Sequence, residues 1–281
     1  VSIDVNSANA CFCSIDGVLY NKDATALICC PGGARSVTIP SSVKSIEIYA
    51  FAWCSGLTSV AIPSSVTSIG GSAFIYCNGL TSVTIPSGVT RIEPYTFDYC
   101  SGLTSVTIPS SVTSIDAYAF RLCNGLTSVT IPLGVTNIDE LAFAWCSGLT
   151  SVSIPSSVTN IGRYAFDDCE ELSTVYVDQG DSNRVKGLYE WPSTVEFVEL
   201  VVKPAAPSGV SATDGTYSDK VSISWTGSSG ATSYNLYRST TSTRPSTATK
   251  TGVTSPYSDT TATPGTKYYY WVSAVNSAGS S

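Results

Sequence analysis

The chain has 281 residues, a length that suits two domains, with 43% hydrophobic and only 12% charged residues, a formal net charge of −7, and neither His nor Met. The missing His excludes Ser–His and Cys–His nucleophiles and imidazole metal ligands, and no apolar run approaches the ~18 residues of a membrane-spanning helix. Residues 1–203 carry 18 acids against 9 Lys and Arg (−9) and residues 204–281 carry 3 against 5 (+2), with no basic cluster interleaved with aromatics, which argues against nucleic acid and against a membrane-surface helix.

The chain starts at Val1 and stops at Ser281 inside a strand-like pattern, so it reads as a fragment of a longer protein. Residues 1–33, including Asp16-GVLYNKDATALICCPGG-Ala34, form an irregular N-terminal repeat or cap. From Ala34 a strict period takes over, and Cys54, Cys77, Cys100, Cys123, Cys146 and Cys169 fall 23 residues apart. Such a period marks a solenoid, in which each unit buries its apolar face against its neighbours. Six 23-residue units occupy residues 34–171. In each, Leu57, Val60 and Ile62, or their equivalents, mark a short strand that Pro63 closes, because a strand interior rejects Pro. Val66 and Ile69 follow after a Ser-Ser turn. Ile69, Ala73, Phe74, Cys77 and Leu80 then recur at helix-like offsets, so one or two short helical turns are expected there.

Around Val175-YVDQGDSNRVKGLYEW-Pro192 the period fails and charges appear, as a closing unit over residues 172–200 requires. Residues 201–207 are a Pro- and Ala-rich, semi-rigid linker. Over residues 208–281 Val221, Ile223 and Trp225 alternate, as do Tyr234 and Leu236, and Tyr268, Tyr270, Val272 and Ala274. These alternating patterns predict β-strands.

The unit Leu-x-x-Val-x-Ile-Pro-x-x-Val-x-x-Ile-x-x-x-Ala-Phe-x-x-Cys resembles the BspA-like leucine-rich repeats of bacterial and protist surface proteins, over roughly residues 1–200. The run Pro264-GTKYYYWVSAVN-Ser277 resembles the late core strand of a fibronectin type III domain, with Tyr268 as its tyrosine corner; the resemblance makes Trp225 the core Trp of the second strand and implies that the last strand is missing. The expected architecture is a leucine-rich-repeat solenoid of parallel β-structure with short helical turns, followed by an all-β immunoglobulin-like sandwich of the fibronectin type III class. The resemblance implies an extracellular or cell-surface location and adhesion to host or neighbouring-cell proteins.

The six periodic cysteines are expected as a ladder of buried thiols, since stacked equivalents direct their Cβ vectors in parallel and bridge poorly. They lack zinc spacing, so no metal and no cofactor are expected. Cys11, Cys13, Cys29 and Cys30 stand outside the period, and one disulfide among them could close the cap.

Aligning the six units against one another exposes variable columns. One reads Tyr49, Ser72, Tyr95, Tyr118, Leu141, Tyr164; another, just before Cys, reads Trp53, Tyr76, Tyr99, Leu122, Trp145, Asp168. Lying four residues apart, the two share a face of the expected helical turn. Beside them run Ala52, Ile75, Asp98, Arg121, Ala144 and Asp167. An acidic column with Glu93, Asp116 and Asp139 is expected to be a solvated face. The candidate ligand-binding residues are Trp53, Tyr76, Tyr95, Tyr99, Tyr118 and Trp145; no catalytic residue is assigned, because no groups converge. Three roles remain open: a non-enzymatic module binding a protein, a glycan-binding module with the rings as sugar platforms, or a spacer in a larger surface protein. The rings themselves could equally be packing along the ridge. The sequence leaves the oligomeric state undetermined.

Overall fold

Short Ser-Val-Thr segments alternate outward Ser and Thr with an inward Val, and this half-buried pattern sets the first side of every coil. The computed structural model describes residues 2–200, 203–213, 219–276 and 278–281. Val201 and Val202 of the expected linker and Ser277 at the end of the expected core-strand run lie outside the described residues. The chain divides into two units, 1–199 and 200–281.

The first unit opens with an antiparallel meander of strands Phe12–Ile15, Val18–Asn21 and Ala26–Cys29. Its last strand pairs in parallel with Ser45–Ile46, which pairs with Ser68–Ile69. From there the coils stack with equivalent residues opposite one another: Ser82, Val83 and Thr84 face Ser105, Val106 and Thr107. On the second side, Arg91–Ile92, Ser114–Ile115, Asn137–Ile138 and Asn160–Ile161 form one parallel ladder. The exposed Thr residues reinforce this stack. The hydroxyls of Thr81, Thr104 and Thr150 donate to the carbonyls of Thr58, Thr81 and Thr127 one coil earlier. Gly125 sits where coils nearly touch: a Cβ there would lie 2.9 Å from the Leu103 carbonyl oxygen.

The third side differs from expectation. The segments expected as helical turns are runs of β-turns, and among the described residues the α-helix is Ser182–Leu188. The N–H groups of Ala50, Ala52 and Cys54 bond back to the carbonyls of Glu47, Tyr49 and Phe51 three residues earlier. The alternate N–H groups, of Phe51 and Trp53, cross to Ala73 and Ile75 of the next coil. Parallel strands fix the rise at about 4.8 Å per coil, whereas an α-helix with side chains needs about 10 Å. A helix would also direct its N–H groups along its own axis and leave none for the next coil. The helix-like spacing of Ala, Phe and Cys arises because successive three-residue turns also return side chains to the interior every three to four residues.

Inside, Phe51, Phe74, Phe97, Phe120, Phe143 and Phe166 form one continuous stack, with neighbouring ring centres 4.7–5.3 Å apart and planes within 10° of parallel. The cysteine ladder runs beside it, buried from Cys54 to Cys169. The thiols of Cys77, Cys100, Cys123, Cys146 and Cys169 donate to the carbonyls of Phe51, Phe74, Phe97, Phe120 and Phe143 at 3.1–3.2 Å. Burial lifts the thiols of Cys100, Cys123 and Cys146 well above their usual range and that of Cys169 to about 12. They therefore stay protonated and unreactive.

The expected N-terminal disulfide is not formed; all ten cysteines are free thiols. Cys13 and Cys29 lie on the outer strands of the meander, either side of Val18–Asn21, so they are about two strand spacings or ~9.5 Å apart. That exceeds the ~7 Å that a bridge spans. Cys11, opposite Lys22, is separated in the same way, and the consecutive Cys29 and Cys30 point to opposite faces.

At the far end, Tyr189 and Trp191 cover the exposed side of Phe166. Arg184 bonds to the carbonyls of Val158 and Pro155 while paired with Asp181, and so satisfies acceptors that no further coil would reach.

The second unit is a two-sheet sandwich. Strands Ser208–Ala212, Val221–Thr226 and Tyr257–Asp259 face Lys250–Val253, Ser233–Ser239, Tyr269–Asn276 and Gly279–Ser280. Ile223, Trp225, Leu236, Val253 and Val272 are its core. The Tyr268 hydroxyl accepts the Thr263 N–H, the back-reaching bond of a tyrosine corner. The last strand, expected to be missing, is present as the two residues Gly279–Ser280 paired with Tyr269–Asn276. The Ala274 carbonyl, which accepts from the Ser281 N–H, extends that pairing.

Phe97 has a stacked ring on each side, so Phe97→Ala opens a cavity that neither neighbour can close. Urea titration of this variant is expected to show a loss of about 3–5 kcal/mol; a loss under ~1 kcal/mol would mean that the phenyl stack does not hold the coils together.

Candidate functional site

The two aromatic columns occupy the two left-handed backbone positions of each coil. Tyr49 and Trp53 have φ of 61° and 58°, Tyr95 and Tyr99 58° and 59°, and Tyr118 62°. A non-glycine residue there costs about 1–2 kcal/mol. The turn geometry imposes the conformation whatever the side chain: Ser72, Leu122, Leu141 and Asp168 adopt it at φ of 56°, 58°, 56° and 52°.

The structure joins five of the six candidate residues into two stacks. Tyr49, Trp53, Tyr76 and Tyr99 form the first, with ring centres 6.3, 6.1 and 4.4 Å apart. Tyr95 and Tyr118 form the second, at 4.6 Å and nearly parallel. Trp145 stands apart from both, beyond the interruption at Leu122, and is exposed. The outer end of the first stack is the most open: Tyr49 is 52% and Trp53 62% exposed.

Arg121 ties the stacks together. Its guanidinium lies 4.9 Å from the centre of Tyr118, 5.2 Å from Tyr99 and 5.9 Å from Tyr95. Asp98, one coil earlier, holds it through two bonds of 2.8 and 2.7 Å. The partners respond differently. Burial lifts the Asp98 carboxyl above its usual 3.8, outweighing the lowering by Arg121. Arg121 is raised, chiefly by the same bond. The asymmetry follows exposure: the Asp98 side chain is 1% accessible and carries the desolvation cost, whereas Arg121 keeps 23% of its side chain in water.

The acidic column is not a uniformly solvated face. Asp116 is buried and accepts from Arg91 and from the Ser114 hydroxyl, because charges one coil apart lie too close to remain unpaired. Among the described residues, no three His, Cys, Asp or Glu converge on one point that could hold a metal ion.

Sequence reasoning missed a groove of about 650 Å³ where the closing helix leaves the sixth coil, lined among others by Arg163, Tyr164, Asp167, Lys186, Tyr189 and Glu190. Regular coils form ridges, and a cleft opens where the period fails. That failure near Val175 was the available signal. The Asp98–Arg121 pair was also missed; their 23-residue separation in the column Ala52, Ile75, Asp98, Arg121, Ala144, Asp167 places them one coil apart without showing that they pair.

The family model described as the BspA type leucine rich repeat region matches in six copies, over residues 29–149 and 91–187, and the fibronectin type III domain model matches residues 205–281. A leucine-rich repeat protein from Eubacterium ventriosum is 30% identical with a TM-score of 0.51, covering 60% of this chain and 52% of that one. The leucine-rich repeat protein of T. pallidum is 26% identical with a TM-score of 0.53, covering 61% of this chain and 91% of that one. The amylopullulanase of Thermoanaerobacterium saccharolyticum is 43% identical over 77 residues, 27% of this chain and 6% of the enzyme. The chain thus spans about half of the first solved relative and a small part of the enzyme.

A carboxyl whose pKa rises on folding binds its proton more tightly in the native state, so its contribution to stability falls as pH rises through the window just above 3.8. Urea midpoints measured from about pH 4 to pH 6 should therefore show a downward component in the wild type that Asp98→Asn removes. An identical slope in the variant would show that Asp98 does not bind its proton more tightly in the native state, and loss of an upward component would show that the ion pair outweighs burial.

Proposed function

Because the chain belongs to the BspA-type leucine-rich-repeat family and carries a fibronectin type III domain after the repeats, we propose that it is a non-enzymatic extracellular or cell-surface module that captures a protein ligand through the aromatic stacks around Arg121. The modules are of a surface-protein type, and among the described residues no helix is long and apolar enough to cross a membrane.

One observation carries the reading. The left-handed positions close equally well with Ser, Leu or Asp, so the fold does not demand the Tyr and Trp that fill most of them. Stacked pairs return about 0.5–1.5 kcal/mol, and the backbone cost falls alike on every non-glycine residue. Packing leaves unexplained the large rings at the open end, where Tyr49 is 52% and Trp53 62% exposed. A protein interface gives a reason for them: stiff Tyr and Trp rings and a pinned Arg lose little side-chain entropy on binding, and such residues dominate measured hot spots. The partner envisaged is a protein on a host or neighbouring cell.

A second reading is glycan binding at the open end of the first stack, where Tyr49 and Trp53 are exposed. There the same rings would serve as sugar platforms, with carboxylates beside them accepting hydroxyl hydrogen bonds.

The combined variant Trp53→Ala, Tyr76→Ala, Tyr99→Ala tests both. On a printed panel of extracellular-matrix and bacterial surface proteins the wild type should retain a ligand. The variant should lose at least about 100-fold in affinity, given ~2 kcal/mol or more per anchor, with its unfolding midpoint little changed. Unchanged capture refutes a binding role for the rings, and a collapsed midpoint returns them to packing. Retention on a glycan panel alone favours the second reading.

A further inference from the structure

The sandwich carries a surface that neither the repeats nor the family assignment explains. Along the paired strands Ser233–Ser239 and Tyr269–Asn276 the core takes Leu236 and Val272, with Tyr234 and Tyr270 packed against it. Strand alternation sends Tyr237, Tyr269 and Trp271 to the opposite face. An antiparallel sheet ordinarily shows polar residues there; here three aromatics lie side by side, with Tyr237 directly opposite Trp271 and Ser239 opposite Tyr269.

The rings form a strip with a charged rim. Tyr269 and Trp271 have centres 6.3 Å apart and planes 26° from parallel and are half-buried, whereas Tyr237 and Ser273 on the same face are buried. The Arg244 guanidinium lies 4.0 Å over Tyr237, and the Lys267 ammonium lies 5.0 Å from the centre of Tyr269. Among the described residues of the sandwich, neither cation is in an ion pair with a carboxylate. Residues 204–281 contain three acids, Asp214, Asp219 and Asp259. Asp259 is buried, paired with Arg238 and bonded by Tyr270 on the inner side. Asp219 precedes the Val221–Thr226 strand of the other sheet, and Asp214 lies outside the described residues.

We propose that this strip, Tyr269 and Trp271 flanked by Arg244 and Lys267, binds an acidic polysaccharide built of uronate-bearing sugars. A pyranose ring presents a face of C–H groups that stacks on an aromatic plane and releases water from both. Carboxylates at the chain's edge pair with the guanidinium and ammonium. Two rings in a row 6.3 Å apart suit a polymer that repeats one ring face along its length. The strip uses none of the residues assigned to the repeats' ligand.

The test is native electrophoresis of the full chain through gels containing polygalacturonate, neutral starch or dextran sulfate. Retardation by polygalacturonate and not by starch is expected. It should fall at least tenfold in Trp271→Ala and in the double variant Arg244→Gln, Lys267→Gln, and persist in the Trp53, Tyr76, Tyr99 triple variant. If Trp271→Ala lowers the unfolding midpoint, the double variant, which leaves the rings in place, decides. No retardation by polygalacturonate overturns the proposal. So does retardation by starch instead, or by dextran sulfate equally with no response to either variant.

Discussion

The rise between successive coils is the constraint from which the rest of the repeat unit follows. In-register parallel pairing of Ser-Val-Thr against Ser-Val-Thr sets it near 4.8 Å, and everything else in a coil must fit a slab of that thickness. A flat phenyl ring fits, so the six Phe rings stack at 4.7–5.3 Å. A helix, about 10 Å wide, would splay the third side; that side closes instead by β-turns whose alternate N–H groups bond to the next coil. Those turns need two left-handed residues each, and that is where the Tyr and Trp side chains stand. The thiol is small enough to lie within the slab while reaching the Phe carbonyl of the coil before it.

The same spacing explains the electrostatics. Any column of identical charges would place like charges about 5 Å apart, and burial would multiply the cost. The chain answers by pairing across one coil: Asp98 with Arg121, and Asp116 with Arg91. The Asp98 side chain is 1% accessible and that of Arg121 23%, and burial of the carboxylate raises its pKa. The cluster that results combines rigid rings and a fixed guanidinium, the ingredients of a low-entropy recognition surface. The open ends of the solenoid follow similar logic. Tyr189 and Trp191 cover the last phenyl, and Arg184 satisfies carbonyls that no further coil would reach.

The sandwich obeys a different rule, that of two faces. One face of the Tyr269–Asn276 strand buries Val272 and Ala274, and the other carries Tyr269 and Trp271 beside cations. The sequence KYYYWV reads as an uninterrupted apolar run, and alternation alone decides which rings are core and which are surface.

By itself the sequence determined the solenoid, its 23-residue period and the inward Val, Phe and Cys positions. Each is a periodic or local signal, written in which side chains are apolar and where Pro and Gly interrupt them. The choice between helix and turn was not legible, because both bring side chains inward every three to four residues; stacking against neighbours decided it. Nor were the positive φ values of Tyr49 and Trp53, since neither residue type signals a left-handed conformation. The pairing of Asp98 with Arg121, the isolation of Trp145, the burial of Asp116 and the cleft beside the closing helix were settled only in three dimensions. All depend on which residues lie one coil apart and how closely they approach, and those distances come from the packing of the whole stack.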